Sequence, residues 1–344
     1  MMQNVFHLSH IDLDGYGCQY LTTKNFDAIT CYNANYGPEV KARLEEIFQT
    51  IDNTMSTSAL ILVTDLNLTP KEALWLEQEA KTRGVKLQLL DHHATGQKTS
   101  EQFLWYSLDT SKSATQITYE WLQTNYNFDP KGAYTSIVEA INAVDIWQDW
   151  HEAFEYGKVM LGMISGAREI NRIIFPDEDR SFKLSLIQSA SSNITQPQAP
   201  IWLDDNIHQL KKQFFTLGEN NTKDNLVATY ITKLLTNHAS RFVIHYKGYK
   251  GLLGYSIGSA SIIGNTFLVT NPDFDFYMDI GFRGNFSLRS NDSVDVSEIA
   301  ATIGNGGGHP NASGGKIEGW QDSFVYENIR NFVQNHINDK TFNS

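Results

Sequence analysis

The sequence predicts an α/β chain of two domains, an N-terminal parallel sheet clothed in helices and a smaller C-terminal α/β domain, joined by a helical connector. Three observations predict it. From residue 5 to residue 90, short apolar runs alternate with amphipathic stretches, the pattern of a parallel sheet with helical crossovers. The chain has 344 residues, more than the ~100–200 that one domain usually takes. Beyond about residue 240, alternating strand-like patterns return after a helical interval. The boundaries fall at 1–150, 151–235 and 236–344.

In order, Val5–Leu8 reads as the first strand and Gly15–Tyr20 as the opening of a helix. Ala28–Tyr32 is a second strand, and Pro38–Ile51 a helix with Pro at its start. Ala59–Thr64 is the third strand. Thr69 and Glu72 then form a capping box at the head of the next helix. Lys86–Leu90 is a fourth strand and Phe103–Tyr106 a candidate fifth. Ser113–Thr124 and Gly132–Trp147 read as helices. Ser189–Pro200, with two prolines and little apolar content, reads as a loop or linker. Leu203–Thr216 and Lys223–His238 are helical. A hairpin is expected around Lys247-Gly248-Tyr249-Lys250, then strands at Phe274–Phe282 and Asn285–Leu288, and helices at Ser297–Ile303 and Ser323–Ile337.

Hydrophobic content is 41% and formal net charge −12. The charge argues against a general nucleic-acid coat or a polybasic membrane binder, though cations in a site could still admit an anionic substrate. Cys18 and Cys31 belong to no Cys-x-x-Cys pair and read as reduced, buried thiols. With no signal-peptide pattern at the N-terminus and no long apolar span, the expectation is a cytoplasmic protein away from the membrane. A homodimer is left open.

Four segments end in acids or histidines: His10-Ile11-Asp12-Leu13-Asp14, Asp65, Asp91-His92-His93 and Asp145. Each acid alone would pass for a cap or a surface residue. Together, each closing an apolar segment, they point to one site, because ligand sites collect at strand ends in open α/β sheets. His10, Asp12 and Asp14 alternate, so an extended chain would put them on one face. So many carboxylates brought together need cations among them. Carboxylates with a minority of imidazoles suit Mn²⁺, with Mg²⁺ as the alternative. Two ions sharing a bridging carboxylate can promote in-line attack of water on phosphorus.

Ser9-His10-Ile11-Asp12-Leu13-Asp14-Gly15, then Asp65, then Asp91-His92-His93, then Asp145, resembles the DHH phosphoesterase superfamily. The resemblance implies that His10 and Asp12 bind a first ion, that Asp65 bridges, and that Asp14, His92 and Asp145 bind a second. It implies that His93 faces the substrate phosphate and that Asp91 orients a ligand from behind. The His-x-Asp-x-Asp-Gly spacing is closer to oligoribonuclease and RecJ-type members than to pyrophosphatases.

The second motif is Gly304-Asn305-Gly306-Gly307-Gly308-His309. Clustered glycines let backbone N–H groups approach an anion, and His309 adds a donor. Upstream, Arg289 closes a strand and could hold phosphate bidentately. Together they resemble the DHH-associated C-terminal domain, which implies substrate binding by Arg289, Gly306, Gly307, Gly308 and His309. Ser111–Thr115 could present amides to a phosphate but reads first as an N-cap.

The reading is a two-metal phosphodiesterase that cuts short oligoribonucleotides or linear dinucleotides to mononucleotides. Rivals are a 3′-phosphoadenosine 5′-phosphate phosphatase, a cyclic-nucleotide phosphodiesterase, and, from another class, an inactive nucleotide-binding protein. The intact ligand set argues against the last.

Overall fold

The computed structural model describes residues 3–54, 58–216 and 218–342. The chain forms two compact units, residues 1–167 with 180–210 and residues 168–179 with 211–344.

The first unit runs β1 (Asn4–Ser9), α1 (Leu13–Asn25), β2 (Ile29–Asn33), α2 (Pro38–Thr54), β3 (Ala59–Thr64), α3 (Pro70–Arg83), β4 (Lys86–Asp91), α4 (Gln97–Ser100), β5 (Tyr106–Leu108), α5 (Ala114–Tyr126), α6 (Thr135–Asp145) and α7 (Phe154–Ser165), then most of α8 (Pro176–Asn193) and α9 (Ala199–Phe215). The five strands are ordered β2-β1-β3-β4-β5, and every pair is parallel. Central β3 is buried at every residue, which is why it reads as unbroken Ala-Leu-Ile-Leu-Val-Thr rather than alternating. Phe6, Leu8, Ile61, Val63 and Leu89 pack with Leu44, Ile47 and Leu76 of α2 and α3. Val5, Leu60, Leu62 and Leu90 form a second cluster with Ile117 of α5. The capping box at Thr69 and Glu72 is present, and Gly84 closes α3 in the left-handed conformation.

Four expectations in this unit need correction. The fifth strand is Tyr106–Leu108, not Phe103–Tyr106, because the short α4 turn carries the chain up to Phe103, whose N–H bonds back to Thr99. The helix expected from Gly132 starts at Thr135; Asp129 holds the turn before it by accepting from Ala133 N and Tyr134 N. Ser189–Asn193 is helical, the end of α8. Its serines do not break the helix because Ser189 and Ser192 donate to the carbonyls four residues back, and Ala190 is buried. Finally, β1 ends at Ser9, so strand alternation does not align His10, Asp12 and Asp14. Asp12 caps α1, and Asp14 lies in its first turn.

The second unit holds α10 (Lys223–Asn237), α11 (Ala239–Phe242), β6 (Val243–Tyr246), β7 (Tyr249–Tyr255), α12 (Ala260–Thr270), β8 (Phe276–Ile280), β9 (Asn285–Ser290), α13 (Val296–Gly304), β10 (Gly307–His309), β11 (Ala312–Lys316) and α14 (Tyr326–Phe342). Its six-stranded sheet is ordered β10-β11-β9-β8-β7-β6. Only Lys247 and Gly248 turn the β6–β7 hairpin, both at positive φ, so Tyr249 and Lys250 belong to the strand. β7 and β8 are parallel and are joined through α12, a helix absent from the sequence reading. The glycine motif is not an open loop. Gly307–His309 pairs antiparallel with β11. A Cβ at Gly306 would stand 2.1 Å from the Gly314 carbonyl oxygen, and one at Gly308 2.6 Å from that of Ala312. Those glycines are therefore required by close strand approach.

The stretch expected as a connector is divided between the units: α7 lies in the first, α10 in the second, and α8 and α9 run from one into the other. No helix among the described residues is long and apolar enough to cross a membrane.

Candidate active site

The C-terminal ends of β1, β3 and β4 deliver the acidic and histidine residues to one place. A tight turn after β1 brings His10 back beside Asp12, whose Oδ2 lies 2.9 Å from His10 Nδ1. Asp12 Oδ1 accepts from Gly15 N. Gly15 permits this turn, since a Cβ there would sit 2.4 Å from the His10 carbonyl oxygen. Asp65 follows β3 at φ 57°, a left-handed conformation that Asp tolerates better than most residues. Its N–H is pinned to the Leu90 carbonyl, and its carboxylate stands between both histidines: Oδ2 is 3.6 Å from His10 Nδ1 and Oδ1 is 3.4 Å from His92 Nε2. His92 also lies 3.8 Å from Asp14 Oδ2 and 3.6 Å from Asp145 Oδ2.

Asp14 is fixed from behind by the start of α5. Ala114 N donates to its Oδ2 and Thr115 N to its Oδ1, so these amides orient a carboxylate of the site. Ser113 caps α5 by accepting from Gln116 N. Asp91 is fully buried. Its Oδ1 accepts from His93 Nδ1 at 2.7 Å and its Oδ2 from the Tyr106 hydroxyl at 2.6 Å. A carboxylate accepting at Nδ1 leaves Nε2 as the outward atom of His93, and the hydroxyl of Tyr36 meets it at 2.8 Å. The Tyr36 ring lies 4.4 Å from that of His10, and the residue is 42% exposed. Tyr36 escaped the sequence reading: it sits in the loop after β2, 57 positions from His93, and no local pattern marks it.

Ligand atoms of His10, Asp12 and Asp65 lie within 4.8 Å of one another, as do those of Asp14, His92 and Asp145, and those of Asp65, His92 and His93. The six residues proposed as metal ligands thus come together in two sets with Asp65 between them.

A family model for the DHHA1 domain matches residues 273–339. The chain is 43% identical over 349 residues to a 3′,5′-cyclic-nucleotide phosphodiesterase of Helicobacter pylori, across 98% of this chain and 100% of that one. It is 26% identical over 326 residues to the oligoribonuclease NrnB of Bacillus subtilis, across 91% of this chain and 73% of that protein. The crystal structure of an uncharacterized protein from Helicobacter pylori G27 has a TM-score of 0.91 at 43% identity, covering 98% of this chain and 100% of that one. The chain belongs to the DHH phosphoesterase superfamily.

The electrostatics of this DHH centre fit a cation site. Burial, then the charges of Asp14 and Asp12, push the Asp65 carboxyl well above the usual carboxylate range. Burial likewise raises Asp14, helped by Asp12. Partial burial and the Asp14 charge raise Asp145 to about 8. Burial opposes protonation of His10, but its hydrogen bond to Asp12 and the nearby Asp65 carboxylate outweigh that and raise it to about 10. Burial pushes Asp12 up, yet His10 more than compensates and brings it to about 2. Asp65 Oδ2 is buried and accepts no hydrogen bond among the described residues. An orphaned carboxylate oxygen in a carboxylate–imidazole cluster is the donor set that a divalent cation completes. Behind it, His7 is buried between the hydroxyls of Thr22 and Thr64. Burial, with the charge of Arg180, lowers it to about 3, so it is a neutral structural histidine.

In the second unit, Arg289 is the penultimate residue of β9 and donates to the Ser261 hydroxyl and the Leu288 carbonyl. Its strand partner across β11 is Ala312, which in turn faces His309. Arg289 and the exposed His309 therefore lie in one cross-strand row.

Proposed function

We propose that this enzyme is a two-metal phosphodiesterase of small nucleotides. The observation that supports it is the pair of three-ligand sets, His10, Asp12, Asp65 and Asp14, His92, Asp145, with Asp65 Oδ1 of the first 3.4 Å from His92 Nε2 of the second. His10, Asp12 and Asp65 would hold one ion and Asp65, Asp14, His92 and Asp145 the other, with Mn²⁺ the better match to the mixed donors and Mg²⁺ the alternative. Bound there, the ions supply Lewis acidity toward a phosphoryl oxygen and a water of lowered pKa. The protein supplies position. Asp91 holds His93 with Nε2 outward, toward the phosphoryl group, and Tyr36 bounds the same spot. Arg289, Gly306, Gly307, Gly308 and His309 are the substrate-binding residues in this reading, with Arg289 as the charged phosphate contact.

Two substrate classes have specific support. The relative with 43% identity over its full length is named a 3′,5′-cyclic-nucleotide phosphodiesterase, which favours cyclic nucleotides. The match to an oligoribonuclease supports short oligoribonucleotides and linear dinucleotides, the substrates favoured by the sequence motifs. In both, water displaces a ribose oxygen from phosphorus and leaves a mononucleotide. The test is a rate comparison with Mn²⁺ on 3′,5′-cyclic AMP, a linear dinucleotide, longer RNA, 3′-phosphoadenosine 5′-phosphate and pyrophosphate, repeated after chelation. Hydrolysis of the first two above the rest, abolished by chelation, supports the reading. Full turnover by protein shown to be metal-free by elemental analysis would refute it.

A further inference from the structure

The second unit carries a polar cluster that the phosphodiesterase reading leaves unused. In the register of its sheet, Asp279 lies opposite Gly254 on one side and Ser287 on the other, and Ser287 lies opposite Gly314. Tyr277, two residues before Asp279, lies opposite Arg289, and Arg289 opposite Ala312. Residues directly opposite share a face of the sheet. One face therefore presents two rows, Gly254-Asp279-Ser287-Gly314 and Tyr277-Arg289-Ala312. The other face is core: Phe276, Met278, Ile280, Phe286 and Leu288 are buried.

The two rows differ in cover. Helix α12 lies on the Tyr277 row, where a Cβ at Gly264 would be 2.6 Å from Tyr277 Cδ1. Asp279 and Ser287 are only half-buried, and they are flanked by glycines, with Ile257 packed at Gly254. Asp279 accepts one hydrogen bond among the described residues, from Ile257 N at 3.1 Å. Beside it the Tyr277 hydroxyl is buried and has no partner among the described residues, and the same holds for Ser256 Oγ. A Cβ at Gly254 would come within 2.5 Å of the Tyr277 hydroxyl and 2.7 Å of Asp279 Oδ1. Glycine at 254 thus lets two under-used oxygens come close to the strand backbone. Buried polar groups left unpaired are costly, so something with hydrogen-bonding groups is expected there. Burial also raises the Asp279 carboxyl to about 7, partly offset by Ile257 N, a sign that its charge is poorly compensated by the protein.

We propose that Asp279, with Ser287 beside it, recognises the ribose 2′-hydroxyl of the nucleotide whose phosphate Arg289 holds, and so selects ribonucleotides. The inference rests on the phosphodiesterase reading for its choice of ligand. The rows stand two residues apart along the strand, about 7 Å, so a nucleotide with its phosphate on the Arg289 row brings its sugar, not its base, to Asp279. A carboxylate is an acceptor suited to a hydroxyl donor, and the 2′-hydroxyl is what distinguishes ribose from deoxyribose. Both substrate classes above carry it.

The experiment compares metal-loaded wild type, Asp279→Ala and the volume-conserving Asp279→Asn on matched ribo- and 2′-deoxyribo-dinucleotides. It adds bis(p-nitrophenyl) phosphate, which has no sugar. Wild type should prefer the ribo substrate in kcat/KM by about 10- to 100-fold, the effect of one hydrogen bond to a charged group. Asp279→Ala should bring that ratio near one by losing ribo activity only, with Asp279→Asn between. Metal content and bis(p-nitrophenyl) phosphate turnover should not change. A second arm measures binding of AMP and 2′-deoxy-AMP by calorimetry and needs no hydrolysis. If the phosphodiesterase reading fails, a wild-type preference for AMP that Asp279→Ala abolishes still supports the sugar site. A wild-type ratio near one, a ratio unchanged in Asp279→Ala (the result if the cluster holds only water), an equal loss on bis(p-nitrophenyl) phosphate, or no binding of either nucleotide would overturn it.

Discussion

Replacing Asp65 by Asn should make the metal-free protein more stable and the enzyme nearly inactive, two effects of opposite sign from one atom. Asn is the right probe because residue 65 sits at φ 57°, where Asn is tolerated and Ala would add backbone strain. The side chain is buried, with Oδ2 accepting no hydrogen bond among the described residues and the charges of Asp14 and Asp12 nearby. An unsatisfied buried group costs about 1–3 kcal/mol. Removing its charge should recover a similar amount in metal-free protein, a rise of a few degrees at roughly 2–4 °C per kcal/mol for chains somewhat shorter than this one. Wild type should also gain from added Mn²⁺, by about 2.7 kcal/mol at a hundredfold excess over Kd, and the variant should lose most of that gain. Loss of turnover should exceed the ~10- to 100-fold typical of an outer partner of a metal site, because Asp65 belongs to one ligand set and its Oδ1 lies 3.4 Å from His92 of the other. Thermal unfolding with EDTA and with Mn²⁺, elemental analysis and steady-state rates test all three. A metal-free variant less stable than metal-free wild type, with its Mn²⁺ stabilisation intact, would refute the reasoning.

In metal-free protein, the raised carboxyls of Asp65, Asp14 and Asp145 favour folding most fully below pH ~4, their unfolded value. That contribution should fade as pH rises toward about 8, where Asp145 titrates; saturating Mn²⁺ should flatten this slope in urea unfolding curves, and an identical slope with and without metal would count against the cluster. Tyr36→Phe removes one hydrogen bond to His93 and should lower kcat about 2- to 12-fold, from roughly 0.5–1.5 kcal/mol, with metal content unchanged by elemental analysis. Asp91→Asn should cost kcat about 10- to 100-fold through misorientation of His93 and lower the Tm through the Tyr106 contact; wild-type kinetics in the folded variant would exclude the positioning role. Arg289→Ala should reduce kcat/KM on small nucleotides about tenfold or more while both metals stay bound, and unchanged kcat/KM would remove Arg289 from the substrate site.

The candidate ligands were legible because each stands where an apolar element ends, and parallel strand ends converge whatever the loops between them do. What failed was local reasoning about how residues reach the site. His10, Asp12 and Asp14 look like strand alternation, yet the chain turns after Ser9 and the helix start at Asp12 sets their geometry. Ser111–Thr115 has the composition of a phosphate-binding turn, yet its amides serve Asp14, 100 residues away. α12 stayed hidden because Ile262, Ile263, Thr266 and Val269 are β-branched, and only the packing of Gly264 on Tyr277 decides for a helix. Tyr36 could not be found from sequence, since an exposed tyrosine acquires meaning only when His93 meets it.

The acids of the site are not equally satisfied by the protein around them. Asp91 is satisfied by Tyr106 and His93, Asp14 by two amides of α5, and Asp12 by Gly15 N and His10. The protein leaves two acids short. Among the described residues, Asp65 Oδ2 is buried with no hydrogen bond, and Asp145 has no closer partner than His92 at 3.6 Å. Asp145 belongs to one ligand set, and Asp65 stands between the two. Positive charge is therefore missing at the positions the two proposed ions would fill. A cluster shaped only for structure would have no reason to satisfy three carboxylates fully and strand the other two around one histidine.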